Sequence, residues 1–282
     1  MQITTFWQGD NQLGEGPCWD ATRNGLWWVD ILGKTIFWAT ETGDSVQQWP
    51  VPELVGFALP RPDRTHWLGY QSGLHIGQLH PDGTLTVTRV DAFTEHADRL
   101  RFNDGCVDSA GTLYATTMDM PGTEPLGTLR RYDYLTNALT VLSTGYVVGN
   151  GPALSPDESR LYVAETVGHA GRPKGVYVID RTQPDGPTEQ RLINWPNADT
   201  YPDGVCTDQT GNLWVGEWGG TTLRQFAPDG TLLHAIALPV LNPTKVAINP
   251  RTQTLFVTSA QIGLTADQLA AYPLTGSVLR LH

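Results

Sequence analysis

Four oxygen-bearing side chains stand beside a glycine, or for Asn103 two residues before one, at matching places: Glu15 in "LGEGPCW", Asn103 in "RFNDGCV", Asn150 in "GNGPAL" and Asp203 in "YPDGVC". Each lies 10 or 11 residues before a short strand phrase, which starts at Leu26, Leu113, Leu161 and Leu213 respectively. Carboxylate and amide oxygens are hard donors. Brought together, two of each would suit Ca²⁺, Mg²⁺ or Mn²⁺ and would admit Fe²⁺ or Zn²⁺. Carboxylates crowded into one volume repel each other, and a divalent cation relieves that repulsion. Taken singly, an Asx residue next to glycine is more often a turn cap. A register shared by four such residues is what points to a site.

Something must carry these four positions to one point. Six phrases align along the chain: "LWWVD", "HWLGY", "LYATT", "LYVAE", "LWVGE" and "LFVTS". Their starts, at Leu26, His66, Leu113, Leu161, Leu213 and Leu255, are 40 to 52 residues apart. Aromatic and β-branched residues with polar turn clusters between them mark strands. Several strands per period of this length mark a β-propeller. The expectation is an all-β fold: a six-bladed β-propeller forming a single domain over residues 1–282. The N-terminal "QITTFWQ" should close the last blade from outside, next to the final "GSVLRLH", and so cover an open edge. Only "TADQLAAY", residues 265–272, reads as helical.

The aligned phrase reads as the first, innermost strand of each blade. The polar position then falls just before it and points at the central axis. Counted back by 10, blades two and six supply Gly56 and Lys245 at that position. Cys18, Cys106 and Cys206 each lie three residues after Glu15, Asn103 and Asp203. One shared register makes them packing residues, expected to be reduced, buried and unlinked.

Composition narrows the partners. The net charge of −11 excludes the basic face that nucleic acid or an anionic membrane requires. No apolar run is long enough to span a bilayer. No leader is evident in "MQITTFWQGD". Three widely spaced cysteines argue for a reducing compartment, hence a cytoplasmic protein. No G-x-S-x-G elbow, H-E-x-x-H helix or zinc-spaced Cys/His cluster occurs. The seven histidines are scattered, mostly near turns, and read as solvated or capping. Trp28 and Trp214 read as core, and Trp218 as a rim residue that could stack on a ligand.

With these pieces in order, the chain resembles the senescence marker protein (regucalcin)–gluconolactonase family of sugar lactonases. The matching segments are "LGEGPCW", "RFNDGCVDSAG", "TTMD", "GNGPALSPD", "YPDGVCTDQTGNLWV" and "LFVTSAQIGL", spread over nearly the whole chain. The resemblance implies hydrolysis of an aldonolactone at one divalent metal ion, held by Glu15, Asn150 and Asp203. It implies that Arg101 and Asn103 contact the sugar. An acidic residue after the "TM" phrase also binds hydroxyls in such proteins. Here Asp119 is the candidate for that role, with Glu124 as the alternative. Asp203 is the candidate general base as well as a ligand. The expected partner is a small-molecule sugar lactone, with no nucleic acid and no membrane, and the protein is expected as a monomer or small homo-oligomer. Two other readings fit the fold: an esterase of the phosphotriesterase–paraoxonase type, and a non-catalytic propeller that binds a metal or a protein.

Overall fold

A computed structural model describes residues 1–136, 138–182 and 188–282. It is a ring of six four-stranded antiparallel sheets. Blades one to five each contain four strands consecutive in the chain. Blade six takes three strands from the C-terminus, ending in Val278–Leu281, and its outermost strand, Ile3–Trp7, from the N-terminus. That strand pairs antiparallel from Ile3 opposite Leu281 to Trp7 opposite Val278. The expected closure is what forms. Among the described residues there is one short helix, Ala266–Ala271, capped by Thr265. No helix among the described residues is long and apolar enough to cross a membrane.

Burial falls from the axis to the rim, and sequence pattern follows it. The second strands, such as Gly25–Asp30 and Leu113–Asp119, are buried throughout. They lie sandwiched between neighbouring blades, so apolar residues run without alternation. The outer strands, such as Leu232–Ala237, are mostly exposed. Apolar clusters bridge adjacent blades all round the ring. One joins Trp27, Ile36 and Trp49 of blade one to Val55, Ala58 and Leu68 of blade two. Another joins Phe6, Phe256 and Val278 of blade six to Leu26, Trp28 and Phe37 of blade one, and so seals the ring.

Two expectations need correction. The aligned phrases are the second strands of the blades, not the first. The first strands are Gly14–Asp20, Val55–Pro60, Leu100–Val107, Gly149–Leu154, Tyr201–Thr207 and Pro243–Ile248. The polar positions therefore lie inside strands rather than before them. The histidines are not all solvated either: His66 and His75 are buried. His66 packs edge-on against Trp27 at 4.3 Å, and burial, with Arg23 nearby, pushes its pKa down to about 4.

Candidate active site

All six first strands break register at the same place. The irregularities fall between Glu15 and Cys18, Val55 and Phe57, Phe102 and Asp104, Asn150 and Ala153, Pro202 and Val205, and Pro243 and Val246. An extra residue in one strand of a pair re-aims the side chain there. In blades two, three, five and six the residue at the shared register falls inside the break, and in blades one and four Glu15 and Asn150 are the last paired residues before it. The neighbouring glycines let the inner strands converge. Gly151 has φ +44, and a Cβ there would stand 2.0 Å from the Val205 backbone nitrogen in the next blade. A Cβ on Gly204 would strike the Lys245 side chain at 2.4 Å.

The result is a cavity of about 600 Å³ at one end of the axis, within the usual range for small-molecule sites. Its polar floor is Glu15, Arg101, Asn103, Asn150, Thr166 and Asp203, all buried. Asn103 Nδ2 donates to Asn150 Oδ1 at 2.8 Å and to the Gly149 carbonyl at 2.9 Å. Asn150 Nδ2 donates to Thr166 Oγ1 at 3.0 Å, and Thr166 Oγ1 donates to the Pro202 carbonyl at 2.8 Å. This chain fixes the Asn150 amide, with its oxygen toward Asn103. Glu15 Oε2 accepts from the Gly16 amide at 2.9 Å.

Burial and the charge of Asp104 push the Glu15 carboxyl up to about 8. Burial, with Glu15 and Asp104 facing it, pushes Asp203 up as well. Burial pulls the Arg101 guanidinium down to about 10, against the attraction of Glu15 and Asp203. Its Nη1 donates to the Phe102 carbonyl at 3.0 Å. Two enclosed carboxyls, each disfavoured as an anion by burial and by neighbouring negative charge, form a donor pair that a cation would relieve. With the Asn150 oxygen beside them, the chemistry of the set fits a divalent cation. Among the described residues no group of three or more His, Cys, Asp and Glu gathers as a metal cluster. The fit here rests on amide oxygens completing a carboxylate pair.

Asp119 is not brought to the cavity. Its oxygens are taken by Arg99 Nε and Nη2, each at 2.8 Å, and by the Thr123 and Glu124 amides, each at 3.0 Å. Against the upward pull of burial, these partners hold its pKa down at about 2. It braces the turn over residues 119–124. Glu124 is exposed and does not line the cavity either. The wall at this point is Met118, Met120 and Pro121. Trp218 does line the cavity, while Trp28 and Trp214 are core.

Three residues escaped the reading of the sequence as members of the site. Thr166 follows the "LYVAE" phrase with no spacing signal of its own. Lys245 holds the register position of blade six, which was the available signal. Its Nζ donates to Asp104 Oδ1 at 2.6 Å, and Asp104 Oδ2 accepts from the Gly151 amide at 2.9 Å. Asp104, next to Asn103, thus ties blades three, four and six together below the floor. The cysteines are free, as expected. They are half-buried rather than fully packed, yet deep enough that burial pushes Cys18 up to about 12 and Cys206 to about 11.

Comparison with known proteins follows the same line. The chain is 31% identical to 6-deoxy-6-sulfogluconolactonase of Pseudomonas putida, over 94% of this chain and 89% of that protein. It is 29% identical to L-arabinolactonase of Azospirillum brasilense, over 98% and 90%. The fold matches a calcium-binding regucalcin structure from Agrobacterium tumefaciens with a TM-score of 0.87 at 22% identity, covering 98% of this chain and 92% of that one. Residues 13–261 match the family model described as the SMP-30/Gluconolactonase/LRE-like region, and the chain belongs to that family.

Proposed function

We propose that this protein hydrolyses a sugar lactone to the open hydroxy acid with the help of one divalent cation. The observation that carries this reading is the Glu15–Asp203 pair. Two buried carboxyls from separate blades line the floor of one cavity, with Asp104 adding a third negative charge nearby. The names of the lactonase relatives support the choice of substrate.

Glu15, Asn150 and Asp203 would hold the cation. Bound there, it supplies Lewis acidity to a carbonyl and offsets the repulsion between the carboxylates. The rest falls to the chain. Thr166 and Asn103 hold the Asn150 amide in place. Arg101 offers guanidinium N–H groups to substrate oxygens from within the floor. Asp203 accepts a proton from water as the water oxygen attacks the lactone carbonyl carbon. The ring C–O bond then breaks, and the ring oxygen takes up a proton to leave a hydroxy acid.

The test is metal content and aldonolactone hydrolysis for the wild type, Asp203→Ala and Arg101→Ala. Asp203→Ala should lose turnover by at least about a thousandfold and lose the metal, since ligand and base go together. Arg101→Ala should keep the metal and mainly raise KM. Full occupancy and wild-type turnover in Asp203→Ala would overturn the assignment.

A further inference from the structure

The walls above the polar floor differ from it in kind. Every charged or amide side chain lining the cavity lies in the buried floor set. Above it the lining includes Leu54, Met118, Met120, Val167, Trp218 and Ile262. Val167 and Ile262 are 40% exposed, so apolar surface continues to the mouth. The one carboxylate at hand, Asp119, is fully engaged with Arg99 and the turn over residues 119–124.

A lactone seated with its carbonyl on this floor presents its remote carbons to these walls. A hydroxyl there exchanges water for a surface with few donors or acceptors, and an unpaired buried hydroxyl is costly. A methyl or methylene there gains from burial. The cavity volume leaves room for more than one small ring. We infer that the preferred substrate is a lactone whose portion remote from the carbonyl is apolar, either deoxygenated or alkyl-substituted, and not a free polyol. This rests on the proposed lactone hydrolysis and sharpens its substrate class.

The experiment compares kcat/KM, in the presence of Ca²⁺ or Mn²⁺, across a matched series. The series is a hexono-δ-lactone, its 6-deoxy counterpart, and δ-lactones bearing alkyl chains of one, three and five carbons. Binding of the corresponding δ-lactams, measured by calorimetry, gives a second readout independent of turnover. The 6-deoxy compound should exceed its parent by about tenfold or more. Each added methylene should raise kcat/KM and lactam affinity about fourfold, as about 0.8 kcal/mol per buried methylene requires. Val167→Gln and Ile262→Gln, at exposed rim positions, should flatten that dependence. Equal or better turnover of the polyhydroxylated lactone, or no dependence on chain length, would overturn this inference alone. Turnover of no lactone in the series would remove the functional reading and this inference with it.

Discussion

At the scale of single residues, environment separates side chains of one type. Asp119 and Asp203 are both buried aspartates, yet their proton affinities move in opposite directions. Arg99 and two backbone amides surround the first, whereas the second faces Glu15 and Asp104. The consequence for stability has a definite sign. The Glu15 carboxyl binds its proton more tightly folded, at about 8, than at its ordinary 4.5. Between those values the folded protein holds more protons than the unfolded chain, so stability falls as pH rises. The cation-free protein, in chelator, should therefore melt at progressively lower temperature from about pH 5 to about pH 8. Saturating divalent cation should remove most of that slope, and Glu15→Gln should reduce it without cation, leaving the part that the raised Asp203 carboxyl contributes. A melting temperature in chelator that rises across this window would contradict the account of the pair.

At the scale of elements, the first strand of each blade does the positioning. A regular strand sends alternate side chains to opposite faces. The shared irregularity sits at or directly beside the residue at the shared register in every blade and bends the strand there. Glycines lie at or near it in blades one to five, and Gly151 is the tightest case, with positive φ and the Val205 nitrogen 2.0 Å from a built Cβ. Gly151→Ala should cost at least about 2 kcal/mol in denaturant unfolding, from backbone strain and overpacking together. It should also weaken cation binding, because the displaced strand carries Asn150. Retention of both stability and affinity would show that the inner strands do not depend on this close approach.

At the scale of the whole molecule, ring closure makes the site. Glu15 and Asp203 are 188 residues apart in the chain and meet only because the ring closes. The closure lies in blade six, where Phe6 meets Phe256 at 4.8 Å and Trp7 packs on Trp28 and Phe37. Phe6→Ala should destabilise by about 3 kcal/mol, the usual cost of emptying a buried phenylalanine site. If residues 1–282 form one domain, calorimetry should record a single cooperative transition that shifts as a whole. A separate early transition for the N-terminal strand would argue that closure is local.

The sequence alone determined the ring and its contents. Blade number followed from six aromatic phrases at a regular period. Closure by the N-terminal strand followed from two strand-like ends. The meeting of Glu15, Asn103, Asn150 and Asp203 followed from a shared offset. These are properties of spacing, and spacing is legible without coordinates. What only the tertiary structure decided depends on which partner each group finds. Strand rank within the blade was not legible because the first and second strands are both largely buried, and packing between blades distinguishes the second. Asp119 looked like a substrate ligand until Arg99, 20 residues away, was found to hold both its oxygens. Lys245 stood at the right register, but its attachment to Asp104 crosses 141 residues and three blades. The apolar walls come from strand ends and loops of several blades, with no motif in common. Periodic backbone geometry repeats locally and leaves its mark in the chain, whereas pairwise electrostatics and cavity shape arise only once distant segments have been brought together.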